Sequence, residues 1–288
     1  MDGRDADQVR PLLSEGLHER GSAPALLFEP VSDGRSGRVV LRDAERDEQR
    51  AVGRAHTRTF HVKAFRLFTG HQTERKFFPP DIQPHLPQND KKNLYYGDVP
   101  PDIIDEMWRR FFEAIEPLRT AGKLGAVLFQ FAPWISTAPR DKAHVKLCAD
   151  RMASYLAAFE FRNVNWFDER HRESTLAFER ERGLVHVVMD APEGVPNRAH
   201  TVWEATSPEL VIVRMHGRNA ETWIGSTTAA GRFNYDYSER ELDEIAVPVR
   251  EIAKRSGRTH VVFNNCFEDS AQRNAHSMIR ILQQERFA

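Results

Sequence analysis

The chain has 288 residues, 40% of them hydrophobic, and a net charge of -1. No apolar run approaches the roughly 20 residues of a membrane span, and the N-terminus lacks the apolar core of a secretory signal. The near-zero charge excludes a global pull toward nucleic acid, and two cysteines, Cys148 and Cys266, fit a reducing cytoplasm better than a disulfide framework.

Residues 1–58 hold ten arginines, no lysine and one aromatic, Phe28. Their short apolar run, Ala25 to Phe28, cannot build a core, so this segment reads as disordered or as foreign to the rest of the chain. From Thr59 the pattern becomes regular. Apolar runs of strand length occur at Phe60–Phe65, Gly125–Phe131, Leu156–Arg162, Leu184–Asp190, Leu210–His216 and Thr259–Asn264. They are nearly continuous in apolar character, as parallel strands covered on both faces are.

Helical patterns alternate with these runs. One opens at Pro101 and aligns Ile104, Met107, Trp108, Phe111, Ile115 and Leu118 before Gly122. Lys142–Tyr155 and Arg172–Arg182 are weaker helices. Ser238 and Glu241 have capping-box spacing and start a helix to about Ser256, which Pro248 should kink or divide. Asp269–Gln284 carries a stripe of Ala271, Ala275, Met278, Ile279 and Leu282. This alternation implies βαβ units and a parallel sheet, with six strands after residue 58. A closed eight-stranded barrel needs two more, from before residue 60.

The strand ends carry the chemistry. Side chains two apart share a face, so Glu160 pairs with Arg162, His186 with Asp190, Arg214 with His216, and His260 with Asn264. Lys63 and Gln130 end the first two runs in the same way. Lys63, Gln130, Glu160, Arg162, Asp190, Arg214, His216 and Asn264 are expected to ring one mouth, at the strand C-termini where barrel enzymes place their sites. Competing structural readings stand beside this. Glu160 and Arg162 read equally as a buried ion pair, and His61, His186 and His260 as satisfied core histidines. Asp190 and Asn264 also suit turns, and Trp223, Tyr235 and Tyr237 wall a pocket or pack a loop.

Residues 66–101, with His71 and Lys91-Lys92, form a long irregular stretch that would lie over the mouth. No phosphate loop, GxGxxG, CxxC, HExxH or GxSxG motif is present. Cys148 lies in a helical pattern, and Cys266 follows a strand end as a minor nucleophile candidate. A metal set of Glu160, Asp190 and His216 is chemically sound. The cations Lys63, Arg162 and Arg214 point instead to an anionic ligand, because they would repel a metal ion.

These motifs resemble domain-of-unknown-function family 72, the YecE-like proteins. The matching segments are Phe60–Phe65 with Gly70-His71, Gly122–Phe131 with Pro133-Trp134, Glu160-Phe161-Arg162 with Trp166, and Asp190 with Pro192. Val213–Asn219 with Trp223, Tyr235–Leu242, and Phe263–Asn265 with Asn274-Ala275 match as well. The resemblance covers about residues 59–288 and implies an α/β fold, a TIM-type (β/α)8 barrel with its first two strands missing or replaced. It fixes no reaction and no cofactor. Ala132 stands where a second proline is usual, and Cys266 where a third asparagine is common.

The family's opening strands, one containing Gly-Trp and one reading Val-Glu-Val-Asp, do not appear here. Shifting the codons of Gly34–Arg46 by one base permits Val-Glu-Val-Asp-Ala-Ser-Tyr-Tyr, which is the missing strand. Residues 1–58 are therefore expected to be an out-of-frame or disordered non-family segment, and 59–288 the barrel domain. A chain so altered should be unstable or inactive, because its terminal strands become open edges.

The expected function is binding of, or action on, a small anionic, phosphate-containing ligand. A hydrolase or lyase would use His216 with Glu160 and Asp190 for proton transfer. Lys63, His71, Gln130, Arg162, Arg214, Asn219, Trp223, Tyr235 and Asn264 would bind substrate. The alternatives are a metal-dependent nuclease-like barrel and a non-catalytic module for nucleic acid or another ligand.

Overall fold

The computed structural model describes residues 37–42, 59–89, 91–195, 198–225, 234–265 and 267–284. Most of the segment expected to be foreign, and Cys266, lie outside the described residues.

Six parallel strands follow residue 58 in chain order. They are β2 (Phe60–Lys63), β5 (Leu124–Gln130), β6 (Ala157–Glu160), β7 (Val185–Asp190), β8 (Val211–Met215) and β9 (Arg258–Phe263). Each falls on one of the expected apolar runs, with β5 and β9 beginning one residue earlier and every strand but β7 ending one residue or more before the expected end. A seventh strand, β1 (Gly37–Arg42), pairs antiparallel with β9 from Gly37↔Phe263 to Arg42↔Arg258. The sheet order is β1-β9-β8-β7-β6-β5-β2, so among the described residues β1 and β2 are the edge strands. One antiparallel strand thus stands where a closed parallel barrel would place two parallel ones.

The six parallel strands still curl as part of a barrel. His61 on β2 and His260 on β9 begin and end the parallel set, yet their rings meet with Nε2 and Nδ1 2.6 Å apart. His61 Nδ1 accepts from the Ala126 N–H at 2.9 Å, so its Nε2 carries the proton and donates to His260. These are satisfied histidines of the lower interior, as the structural reading of the sequence holds.

Among the described residues are six α-helices. They are α1 (Pro101–Thr120), α2 (Pro139–Arg151), α3 (Arg172–Glu181), α4 (Ala220–Gly225), α5 (Glu239–Ala253) and α6 (Ser270–Gln284). Five of them are long enough to back the sheet, while the short α4 carries Trp223 to the inward strand ends. The Ser238–Glu241 capping box forms as its spacing predicts. Helix α5 runs through Pro248 undivided, so of the two expected outcomes division does not occur. The proline omits one backbone bond, while Leu242, Ile245, Ala246, Val249 and Ile252 bury the face that holds the helix down.

Two outer cores and one inner core result. Phe68 stacks on Trp108 at 3.8 Å beneath α1, and Phe161 stacks on Trp166 at 4.2 Å. The second core joins β7, β8 and β9 to α5 and α6. The inner core is Ala126, Ala158, Val185, Val187, Leu210, Ile212 and Val262. It assigns the faces. Leu128, Ala158, Ile212 and Val262 share parity with Gln130, Glu160, Arg214 and Asn264, so these strand ends point inward.

Strand β7 breaks the expected pattern. Its inward residues are Val185 and Val187, so His186 and Asp190 lie on the outward parity. The register agrees, pairing Met189 with Arg214 and Asp190 with the outward-packed Met215. His186 accordingly meets Glu179 of α3 at 3.0 Å and the Val202 carbonyl at 3.1 Å.

The described residues between β2 and α1 form a layer of tight turns. A short antiparallel pair, β3 (Thr73–Glu74) with β4 (Asn93–Leu94), staples it. No described helix is long and apolar enough to cross a membrane.

Candidate functional site

Glu160 is the centre of the inward strand ends. It is 0% exposed and ends β6, with the apolar inner core below it. Arg162 Nε donates to its Oε1 at 2.8 Å, and Arg214 Nη1 donates to Oε2. Burial pushes the Glu160 carboxyl up, but Arg214 and Arg162 together outweigh it and hold it well below the usual carboxylate range. The carboxylate is therefore ionised, and both guanidinium groups share its one charge.

Lys63 ends β2 beside this cluster. Its side chain keeps solvent access. Desolvation first, then the charges of Arg214 and Arg162, lower its ammonium to about 8, while Glu160 opposes them. Two guanidinium groups thus bond one carboxylate, the Lys63 ammonium acts on the same cluster electrostatically, and positive charge is in excess.

His216 sits behind the cluster, 0% exposed, after the end of β8. Glu160 Oε1 and Arg162 Nη2 each lie 3.4 Å from its Nε2. Desolvation lowers it to about 3, so the ring is a neutral imidazole. The Trp223 indole covers both groups. Its ring lies 6.1 Å from His216 and 5.8 Å from the Arg162 guanidinium.

Gln130 ends β5 next to Glu160 in register and is 9% exposed. Asn264 follows β9 on the inward parity, its N–H donating to the Met215 carbonyl at 2.7 Å. His71 lies in the turn after β2, with Nδ1 2.9 Å from Thr69 Oγ1. Burial, then Lys63 and Arg66, lower it to about 4.

The fold does not bring Asp190 into this group. Its carboxylate takes Arg218 Nη2 at 2.7 Å, Arg218 Nε at 3.1 Å and the Tyr237 hydroxyl at 2.6 Å. The same hydroxyl accepts from the Gly217 N–H at 2.8 Å. Gly217 needs this restraint, because its φ is +85° and a Cβ there would meet the Tyr235 Cβ at 2.5 Å. Asp190, Tyr237 and Arg218 form a clamp that fixes the turn after His216. Glycine is required where Tyr235 crosses that turn.

Tyr235 also faces away from the interior. Its hydroxyl donates to Glu241 Oε1 at 2.5 Å, and its carbonyl accepts from Asn265 Nδ2 at 2.9 Å. Asn274 ties the same loop through the Tyr237 N–H and carbonyl. Asn219 precedes α4, with its amide 3.4 Å from the Asn234 carbonyl.

Sequence reasoning passed over Arg218 and Tyr237 as partners of Asp190. Arg218 lies two residues past His216 and Tyr237 two past Tyr235, but nothing in that spacing names their shared partner. Among the described residues, no three side chains of metal-ligating type come together. Glu160 and His216 are adjacent, while Asp190 is held in its clamp.

The profile of the family described as "Protein of unknown function DUF72" matches residues 54–288. The UPF0759 protein YunF of Bacillus subtilis (strain 168) is 28% identical over 257 residues. That alignment spans 88% of this chain and 83% of YunF, and so takes in residues ahead of the profile match. Two solved structures share the fold. A DUF72 family protein of Enterococcus faecalis V583, at 3.10 Å resolution, is 27% identical with a TM-score of 0.59, over 68% of this chain and 70% of that one. Another from Thermotoga maritima MSB8, at 2.20 Å, is 30% identical with a TM-score of 0.57, over 62% of this chain and 65% of that one. With a family profile covering most of its length and the strand-end motifs in place, this chain belongs to the DUF72 family.

Proposed function

We propose that the inward strand ends bind a small phosphate-containing anion. The observation that carries this is the ratio of charges: Lys63, Arg162 and Arg214 converge on a single buried carboxylate, Glu160. A bound phosphate would supply the missing negative charge, and guanidinium forks suit its oxygens. Gln130 and Asn264 offer further polar contacts on the same inward parity, and the neutral His216 backs the cluster. His71 and Trp223 would flank the ligand. Tyr235 and Asn219 serve it at one remove, by fixing the loop after His216.

A neutral imidazole next to a bound phosphate ester can accept a proton, so His216 is the group for any hydrolase or lyase step, with Glu160 as its partner. Asp190 supports that step only through the Gly217 turn. The anion reading is favoured over a metal-dependent one because the cations surround the carboxylate that a metal would need.

The test is a thermal-shift screen of phosphorylated metabolites and short oligonucleotides on the full chain. Phosphorylated hits should raise the melting temperature, and Arg214→Lys or Lys63→Met should remove the effect. Stabilisation by phosphates that both variants retain would place the anion elsewhere and end the proposal. For a confirmed hit, His216→Ala that keeps binding and loses turnover assigns proton transfer to the imidazole. A wild-type chain that binds without turnover is a binding module.

A further inference from the structure

Next to the mouth, the loop layer encloses a cleft of about 580 Å³ that the anion reading does not use. Its walls come from the turn at Gly70, the tight turn Tyr96–Asp98, and the chain from Trp134 into the start of α2. Trp134 is 48% exposed and Tyr95 44% exposed, two of the few large apolar side chains on the described surface. Scattered single exposures are ordinary, but two aromatics lining one cleft mark a surface built for contact.

These rings are held in place. The Trp134 indole N–H donates to the Gly70 carbonyl at 3.0 Å, and its ring meets Tyr95 edge-on at 6.3 Å. A fixed aromatic wall loses little freedom when a flat ligand stacks on it.

The cleft also holds an uncommitted cation. Lys91 is paired with Asp98 at 2.7 Å, and Asp141 takes the Ser136 hydroxyl at 2.9 Å. The Arg140 side chain, exposed in the first turn of α2, makes no hydrogen bond or close ion pair among the described residues and acts only electrostatically on Asp98 and His144. Its guanidinium lies over Gly97, where a Cβ would come within 3.1 Å of Nη2.

His71 joins the cleft to the mouth. Its ring lies 5.9 Å from Trp134, and Lys63, Arg66 and Arg162 act on it electrostatically. A ligand held at the mouth and extending past His71 would meet the Trp134 side of the cleft.

We propose that the cleft is the base subsite of a nucleotide site: the phosphate lies at Lys63, Arg162 and Arg214, the planar base lies against Trp134 and Tyr95, and Arg140 hydrogen-bonds the base edge. The phosphate half rests on the anion reading above, and the base half stands on the cleft alone. A free nucleotide and the end of a nucleic-acid strand present the same chemistry.

The experiment is calorimetric titration of the full chain with ribose 5-phosphate, adenosine, adenosine 5'-monophosphate and a 5'-phosphorylated oligo(dA). The mononucleotide should bind at least tenfold more tightly than ribose 5-phosphate, as expected of a stacked base. Trp134→Ala and Arg140→Ala should erase that advantage and leave ribose 5-phosphate binding within about twofold, and Trp134→Phe should restore most of it. Tighter binding of the oligonucleotide than of the mononucleotide identifies a strand end, and equal binding a free nucleotide. Equal affinity for ribose 5-phosphate and the mononucleotide, unchanged in Trp134→Ala, overturns the base subsite and leaves the anion site standing. Adenosine binding that Trp134→Ala abolishes, without any binding of ribose 5-phosphate, supports the base subsite and overturns the anion site. No binding of any probe overturns both.

Discussion

Glu160→Gln isolates the charge balance on which the proposed site depends. The substitution keeps shape and removes the carboxylate that Arg162 and Arg214 share, and their side chains are 11% and 9% exposed. Leaving buried cations without their partner costs about 3–5 kcal/mol. In a domain of this size about 1 kcal/mol moves Tm by roughly 2–4 °C. The residual exposure of the arginines places the expected fall in the lower part of that range, roughly 6–12 °C. Millimolar phosphate should then restore part of the loss, because an anion at about 100 times its Kd stabilises by roughly 2.7 kcal/mol. The acid limb should change as well. Glu160 titrates well below its ordinary value, so its contribution is present above about 4.5 and is lost as pH falls through the folded value. The Gln variant lacks that component. The assay is thermal unfolding in phosphate-free buffer, repeated with added phosphate and across pH 3 to 7. A fall in Tm of under about 3 °C would refute the charge balance. A large fall that phosphate does not restore would make the cluster a structural ion pair only.

Other changes probe the supports of the site. Gly217→Ala should destabilise by roughly 2–4 kcal/mol in denaturant titration, since it combines a positive φ with a 2.5 Å approach to Tyr235; a neutral result would mean that the turn relaxes freely. Tyr237→Phe strips the hydroxyl that joins Asp190 to the Gly217 N–H and should cost about 1–3 kcal/mol, while phosphate binding at fully folded temperatures stays within a few-fold. A selective loss of binding in Tyr237→Phe would instead place Asp190 in the site itself. The gene's nucleotide sequence should contain a single-base position before codon 59 that restores the Val-Glu-Val-Asp strand, and its absence would leave residues 1–58 as the native frame.

The legible part of this fold was the part written in strand ends. Glu160, Arg162, Arg214 and His216 alternate with apolar residues on strands whose inner neighbours are small or branched, so their shared face could be read directly. Strand β7 misled for a physical reason. It is apolar on both faces, so its polar residues, His186 and Asp190, seemed to mark the interior when in fact they mark the helix side. The clamp on Asp190 and the meeting of His61 with His260 join residues far apart in sequence, and no local pattern encodes such pairs. The aromatic cleft was equally silent, because Tyr95, Trp134 and Arg140 come from separate loops and only their ordered turns bring them together.

The most direct test of the anion site is the pH dependence of anion affinity. Lys63 titrates at about 8 in the free protein, and a bound anion holds it protonated, so binding takes up a proton above that pH. Calorimetric titration with sulfate, a phosphate-like dianion whose charge is constant from pH 7 to pH 9, should show affinity falling about tenfold over that range in the wild type, by one linked proton. Lys63→Arg should bind with little change over the same range. A wild-type affinity independent of pH, or one that Lys63→Arg leaves equally pH-dependent, would contradict the placement of the anion at this strand-end cluster.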